Sequence, residues 1–204
     1  MGSALRESGE RKLLIDDFKG IDYSQTIMGK IRTVPPVKPL AGILAPGEAW
    51  LARVRARLES EWGPLTAVSE PGPFLQTDYY TREMGAGLWR QFLVFHRLCA
   101  AEELPDRKRA ANVWEAELGS RPEGGRLVNI DPGYLAPGKL VLASTKDHEQ
   151  RIYLRDGIFA EVTLHIRGGK FCRWDWTYPD YAQASPFFDL AYQGYLQEIK
   201  QGAS

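Results

Sequence analysis

The spacing of apolar and polar positions predicts alternating strands and helices in residues 37–131. Apolar runs at 37–45 and 88–98 are typical of buried strands, although the irregular period of the second run leaves a helix open there. Helical periodicity over 45–63 and 105–119 predicts two helices, each ending at a glycine. The expected buried faces are Leu51, Val54, Leu58 and Trp62 in the first helix, and Ala110, Val113, Trp114 and Leu118 in the second.

The order of these elements indicates the fold class. An interrupted extended stretch at 65–80 precedes the strand at 88–98. With it, residues 37–131 read as strand, helix, strand, strand, helix, strand and match the split βαβ arrangement of ferredoxin-like folds. Further strands are predicted at 126–131, 138–146, 150–155, 158–167 and 170–177. A final helix over 186–200 is expected to place on one side Phe187, Leu190, Ala191 and Tyr195. The predicted fold class is α+β: a ferredoxin-like split βαβ first half extended by an antiparallel, β-rich second half.

Residues 151–163 predict a β-hairpin whose register decides which side chains share a face. A three-residue loop with a glycine bulge at Gly157 pairs Arg151 with Glu161, whereas a two-residue turn in the alternative register pairs Arg151 with Val162 and mixes charge with hydrocarbon. We therefore predict the first register. The expected core face is Ile152, Leu154, Ile158, Ala160 and Val162, and the expected opposite face is Arg151, Tyr153, Phe159, Glu161 and Thr163. The Arg151–Glu161 pair either orients Arg151 toward a ligand or is a structural cross-strand ion pair.

The beginning of the chain differs from the rest. It is charged at the start and has one short apolar patch, so we interpret residues 1–27 as a disordered N-terminal extension or leader. Residues 28–204 are predicted to form a single α+β domain. The alternative for the first segment is an amphipathic helix that docks on the body through Leu13, Leu14, Ile15 and Phe18.

Composition narrows the classes of protein that the chain can represent. Its 26 basic residues balance its 26 acidic residues, so there is no overall charge to draw it onto nucleic acid or an anionic membrane. Cys99 and Cys172 are too few and too far apart for a metal knuckle or a disulfide framework. No apolar stretch approaches the roughly 20 residues of a spanning helix. These features predict a cytoplasmic protein.

Polar residues of several chemical types are concentrated between positions 127 and 164. Lys146, His148 and Arg151 follow an apolar run, and an imidazole beside two cations suits an anionic substrate or proton transfer. A solvated hairpin loop is the alternative. Asp131 begins an Asp-Pro-Gly turn signature at the end of a strand, so it is either a site carboxylate or a turn residue.

A second group of carboxylates precedes this region. Asp78 and Glu83 are either a pair for a divalent cation or for proton transfer, or Asp78 caps a short helix that contains Glu83. The expected catalytic residues, in a common cleft, are Asp78, Glu83, Asp131, His148 and Glu161. The expected substrate-binding residues are Asn129, Tyr134, Lys146 and Arg151. Neither a metal site nor a cofactor is predicted, although a divalent cation fits the carboxylate pair. The aromatic run at 171–181 is interpreted as a packing belt, with a base-stacking platform as the alternative.

Several long words of the sequence carry a family resemblance. The words FLQTDYYTREMG, LVNIDPGYL, KLVLASTKDHEQRIYL, GIFAEVTL and WTYPDY, in this order, resemble the domain of unknown function 4416 family of bacteria and archaea. The likeness runs from about Val37 to about Lys200. Members are often labelled "GTP-binding protein", and the resemblance implies no established reaction.

The sequence contains no glycine cradle for nucleotide phosphates. A phosphate-binding loop needs GxxxxGK followed by Ser or Thr, and a dinucleotide loop needs GxGxxG; neither occurs. A phosphate ester would therefore have to be held by side chains such as Lys146, His148 and Arg151. The absence of HExxH and GxSxG disfavours zinc-protease and serine-hydrolase chemistry.

Three classes of function remain. The favoured class binds, and in an enzyme processes, a phosphorylated or nucleotide-like small molecule, with an anionic small molecule such as a nucleotide as the expected partner. The second is an RNA- or nucleotide-binding module without catalysis, which zero net charge disfavours. The third is a non-catalytic scaffold protein whose charges are paired on the surface.

Overall fold

A computed structural model describes residues 33–75, 80–122 and 124–202. The predicted extension at 1–27, with its alternative docking helix, lies outside the described residues. The candidate carboxylate Asp78 does so as well.

One antiparallel sheet organises the described part of the chain. Its nine strands there are β1 (Lys38–Ala45), β2 (Leu65–Val68), β3 (Gly72–Pro73), β4 (Trp89–Phe95), β5 (Asn129–Ala136), β6 (Lys139–Ser144), β7 (Arg151–Arg155), β8 (Ile158–Arg167) and β9 (Lys170–Arg173). The main path is β2-β4-β1-β5-β6-β8-β7, with β3 beside β4 and β9 beside β8. β7 therefore lies at one edge of this path.

Helices cover both faces of the sheet. They are α1 (Glu48–Trp62), α2 (Thr81–Met84), α3 (Leu104–Glu117), α4 (Pro179–Gln183) and α5 (Ser185–Gly202), with a 3-10 turn at Ala101–Glu103. α1 and α3 pack on one face, and α4 and α5 pack on the other. None of the described helices is long and apolar enough to cross a membrane.

The central strand β1 is buried along its whole length. Because side chains alternate along a strand, Ala41 and Ile43 face α1 and α3, while Leu40 faces α5. Lys38 is buried in this strand because its Nζ donates to Glu198 of α5 at 2.7 Å and to the carbonyl oxygen of His96 at 2.7 Å. This ion pair helps to hold α5 against the sheet.

The buried faces of two helices differ from the prediction. In α3, Ala111, Trp114, Lys108 and Glu115 are buried and Val113 is exposed. Two charged side chains point inward because they bond to the backbone of β5, a contact that helical spacing does not reveal. In α5 the buried residues are Phe188, Tyr192 and Tyr195, and Leu190 is exposed.

The Asp-Pro-Gly word lies inside β5 and is not a turn. Gly133 is needed for close approach, since a Cβ there would collide with the backbone carbonyl of Val141 on β6. Its φ is not in the left-handed region that a turn glycine adopts. The proline lacks a backbone donor, and it lies just before the point where β5 begins to pair with β6 at Gly133.

The predicted hairpin has the expected central pairing but a different turn. Arg151 faces Glu161 across β7 and β8, which confirms that register. The turn has two residues, Asp156 and Gly157, both at positive φ, and the irregularity lies within β7 between Tyr153 and Arg155.

The predicted core face of the hairpin is wrong for β7. Ile158 of β8 is 2% exposed, as expected, but Ile152 is 70% exposed and Leu154 is also exposed. The reason is topological: β7 is an edge strand with little packed over it. Arg151 and Glu161 are the buried pair.

The α+β class is confirmed by this mixed architecture. The ferredoxin-like arrangement of the first half stays a prediction.

We expect that replacing Ile158 by alanine will lower the free energy of unfolding by roughly 2–5 kcal/mol, because it removes buried hydrocarbon. The same change at Ile152 should alter it by less than about 0.5 kcal/mol. Urea unfolding of both variants measures the difference. Equal losses would contradict the assignment of β7 to an exposed edge.

Candidate functional site

A polar cavity of about 100 Å³ lies where β5 and β6 separate. The two strands pair only from Gly133 and Leu142 to Ala136 and Lys139. Before Gly133 on β5, and after Leu142 toward the end of β6, the strands diverge. The walls of the opening come from both strands, from α3 below and from the start of α4 above.

Side chains of α3 bond to the backbone of β5 at the position where β6 no longer pairs with it. Lys108 Nζ donates to the carbonyl oxygen of Ile130 at 2.8 Å, and Ile130 N donates to Glu115 Oε1 at 2.7 Å. Both backbone groups of Ile130 are thus satisfied without β6. Arg126 Nη1 donates to the other oxygen of Glu115 at 2.8 Å.

Arg90 of β4 is the buried cation at the centre of the site. Its Nη1 donates to Asp131 Oδ2 at 3.3 Å. Its Nε lies 2.8 Å from Asp180 Oδ2, a charge contact without the angle of a hydrogen bond. Asn129 Nδ2 donates to the same oxygen of Asp131 at 2.6 Å. The cluster joins β4, β5 and α4.

Tyr181 of α4 lines the cavity and has a buried hydroxyl. A Cβ at Gly42 of β1 would collide with this hydroxyl, so glycine at that position lets the phenol reach the sheet. The Tyr181 hydroxyl has no hydrogen-bond partner within the described part of the chain. A buried polar atom without a partner is rare in native structures, and each case calls for a specific explanation.

Arg151 and Glu161 form the opposite wall. Their side chains are 4% and 2% exposed, with Arg151 Nε donating to Glu161 Oε2 at 2.9 Å. Arg151 also donates to Ser144 Oγ at 2.8 Å and to the Tyr178 hydroxyl at 3.1 Å. Each of the three nitrogens of this guanidinium therefore donates a hydrogen bond to another residue of the protein.

The two carboxyl groups that contact Arg90, those of Asp131 and Asp180, have pKa values displaced in opposite directions. Burial favours the neutral form of Asp131, but Lys108, Arg90 and the hydrogen bond from Asn129 outweigh it and lower the pKa. Burial raises the pKa of Asp180, and the charge of Asp131 adds to the increase. Burial also raises the pKa of the Tyr181 hydroxyl, which stays a hydrogen-bond donor at neutral pH.

The structure brings together five of the residues singled out in the sequence: Asn129, Asp131, Lys146, Arg151 and Glu161. Glu83 lies beside them and contacts Arg126 Nε at 3.0 Å. His148 is exposed in the loop between β6 and β7, outside the cavity walls. Tyr134 packs instead in the apolar cluster around Leu104. Their placement away from the cavity follows from side-chain direction, which the sequence does not specify.

Six further residues that line the cavity were not singled out from the sequence. They are Arg90, Lys108, Arg126, Tyr178, Asp180 and Tyr181. A signal existed for Arg90, which is a charged residue within the apolar run at 88–98, and for the last three, which fall in the WTYPDY word. Lys108 had no signal, because a lysine in a helix usually faces solvent.

The described residues contain no group of three or more His, Cys, Asp or Glu side chains that could hold a metal ion. Because Asp78 is outside that set, the predicted carboxylate pair with Glu83 stays a prediction.

The fold and the site define an α+β protein with an antiparallel sheet that opens into a cavity lined by ion pairs. The chain belongs to the family described as Domain of unknown function (DUF4416), which matches residues 35–195. No curated protein and no solved structure matches it.

Replacing Glu161 by glutamine should lower the free energy of unfolding by roughly 3–5 kcal/mol, because it leaves Arg151 buried without its counter-charge. Chemical denaturation measures the loss. Arg155→Gln is the control, since that arginine forms an exposed pair with Asp106 and should change stability far less. Similar losses in both variants would contradict the burial of the Arg151–Glu161 pair.

The opposite pKa displacements predict opposite pH dependences. Asp180 has a raised folded pKa, so its contribution to stability grows as the pH falls from neutral toward the unfolded value of about 3.9. The free energy of unfolding of the wild type minus that of Asp180→Asn should therefore increase over this range. For Asp131, whose folded pKa is lowered, the corresponding difference from Asp131→Asn should stay level and decline only at lower pH.

Urea unfolding at a series of pH values measures both differences. If both differences in unfolding free energy rose, or both fell, as the pH was lowered, the opposite pKa displacements assigned to Asp180 and Asp131 would be contradicted.

Proposed function

We propose that the cavity binds the anionic group of a phosphorylated or nucleotide-like small molecule. The observation that carries this proposal is the surplus of cationic over anionic side chains on the cavity walls. Tyr181, another wall residue, adds a buried hydroxyl without a hydrogen-bond partner among the described residues, and a phosphate oxygen would accept a hydrogen bond from it.

The charges around the cavity support an anion. Among the described residues, five cationic and three anionic side chains line it. The cations are Arg90, Lys108, Arg126, Lys146 and Arg151, and the anions are Asp131, Glu161 and Asp180. Since the carboxylates fix Arg90 and Arg151 in place, these cations offer preorganised positive charge, and we assign anion binding to them with Lys146 and Asn129.

The size of the cavity limits what can enter. Its volume of about 100 Å³ is well below the roughly 300–1,000 Å³ of pockets that enclose a whole drug-sized ligand. A single phosphate or carboxylate group fits this space, whereas a whole nucleotide does not. The remainder of the ligand would lie outside, near exposed residues such as His148 and Glu83.

The Asp131 and Asp180 pair favours chemistry on the bound molecule. Two carboxyls whose environments separate their pKa values can take different roles in one site. Asp131, whose pKa is lowered, is suited to stay ionised, and Asp180, whose pKa is raised toward neutral pH, is the one suited to exchange a proton with the ligand. Glu161 is assigned the task of orienting Arg151, to which it is directly bonded.

The ferredoxin-like arrangement of the first half is proposed on the order of its strands. The sequence β2-β4-β1-β5 across the sheet, with α1 and α3 on one face, supports it. Because such folds serve many functions, the arrangement has no bearing on the ligand.

We expect inorganic phosphate to raise the unfolding temperature of the wild type, because a ligand that binds only the folded state stabilises it. Tyr181→Phe should weaken phosphate binding by roughly 1.5–3 kcal/mol, the value of a hydrogen bond to a charged group. Its stability without phosphate should be unchanged or higher, because it removes a buried hydroxyl that lacks a partner. Calorimetric titration and thermal unfolding give the two quantities.

Tyr195→Phe is the matched control. That hydroxyl donates to the carbonyl oxygen of Pro36 at 2.9 Å, so its loss should cost about 1 kcal/mol of stability without changing phosphate affinity. Phosphate that stabilises neither protein, or that binds Tyr181→Phe as tightly as the wild type, would overturn the proposal. Stability indifferent to every anion would favour a scaffold protein.

A further inference from the structure

An aromatic strip formed by Trp174, Trp176 and Tyr178 is exposed beside the cavity. The three residues are 36%, 43% and 38% exposed. Large hydrophobic side chains that are exposed singly are ordinary, but exposed ones that lie together indicate a binding surface.

The strip is held rigidly along the free edge of β8. β7 pairs with β8 only as far as Glu161, and β9 begins to pair at Leu164. Between them, Trp176 Nε1 donates to the carbonyl oxygen of Val162 at 3.2 Å, and Thr177 Oγ1 donates to that of Thr163 at 2.6 Å. The edge carbonyls of β8 thereby fix the conformation of the strip.

The rings are also ordered by stacking. Trp174 and Trp176 are nearly parallel, at 13° with centroids 5.1 Å apart, and the centroid of the His165 ring lies 4.0 Å from that of Trp174. Burial, with the nearby Arg167, lowers the pKa of His165 and keeps its ring neutral. A rigid ring surface loses little conformational entropy when a ligand binds to it.

Tyr178 connects the strip to the cavity. Its hydroxyl accepts a hydrogen bond from Arg151 Nη2 at 3.1 Å, and Arg151 also bonds to Glu161 in the cavity wall. Since the cavity holds only an anionic head group, the rest of a bound molecule must leave it along the surrounding surface. The aromatic strip is part of that surface.

We infer that the aromatic strip stacks against a planar heterocyclic ring of the same ligand whose anionic group occupies the cavity, so that the ligand class is the nucleoside monophosphates. This inference rests on the proposed function. Base–aromatic stacking works for every base because each has a π-face, and it requires no hydrogen-bond code.

Titration calorimetry with inorganic phosphate, ribose 5-phosphate and adenosine and guanosine monophosphates tests the inference. At least one monophosphate should bind the full chain about tenfold or more tightly than ribose 5-phosphate, as expected for one stacked ring. It should also quench tryptophan fluorescence, whereas ribose 5-phosphate should not. The quenching should persist in Trp50→Phe, because Trp50 of α1 packs against the apolar cluster under α1 and α3 and is not part of the strip.

Two variants at one position separate the ring from its hydrogen bond. Trp176→Ala and Trp176→Phe both lose the bond to Val162, but only Trp176→Phe keeps an aromatic face. We expect Trp176→Ala to bind the monophosphate about tenfold more weakly than Trp176→Phe, while both bind inorganic phosphate like the wild type.

Equal binding of ribose 5-phosphate and both monophosphates, or equal monophosphate binding by the two variants, would overturn the inference and leave the proposed function standing. Failure of inorganic phosphate to bind would overturn both. Tighter binding of a single-stranded RNA than of the monophosphates would replace the small molecule with nucleic acid.

Discussion

The burial of Arg90 is the constraint on which the site depends. A guanidinium inside a sheet needs counter-charges, because an uncompensated buried charge is strongly destabilising. Asp131 supplies one counter-charge from β5, and Asp180 supplies the other from α4. The second contact holds α4 over the strands. Tyr181 follows Asp180 directly and therefore lies over Gly42, where the absence of a side chain leaves room for its phenol.

The cavity exists because the sheet is allowed to open beside this cluster. Separating two strands normally exposes backbone donors and acceptors. Here Lys108 and Glu115 of α3 bond to both backbone groups of Ile130, so β5 stays satisfied without β6. The opening contains mostly polar side chains, and each of its three carboxylates is paired with an arginine. Such a site can present fixed charges to a ligand with little reorganisation.

Arg151 joins the parts of the proposed site. One guanidinium binds Glu161 in the wall, Ser144 at the end of β6 and Tyr178 in the aromatic strip. Displacing it would affect the anion site and the proposed ring site together. For this reason Trp176 and Tyr181, which each belong to one part only, distinguish the two roles more clearly than Arg151 would.

Local features of the chain were readable without the structure. The alternation of apolar and polar residues that predicts α1 and β8 is a property of residues close together in the chain. The pairing of Arg151 with Glu161 is local too, since a short hairpin permits few registers. The polar stretch from Asn129 to Glu161 was predicted as a site for the same reason. Its members lie on β5, β7 and β8 or on the loop between β6 and β7, and these elements follow one another closely in the chain.

What the tertiary structure alone decided were the long-range partners and the exposed faces. Arg90 and Asp180 are 90 positions apart in the chain, and no local pattern indicates that they meet. Ile152 is exposed because β7 is at the edge of the sheet, and Lys108 is buried because it bonds to β5 at Ile130, where β6 no longer pairs with that strand. The sequence by itself determined the elements and the chemical types available to the site. Their assembly depended on which distant surfaces came into contact, because burial and charge compensation are properties of the packed chain and not of any one segment.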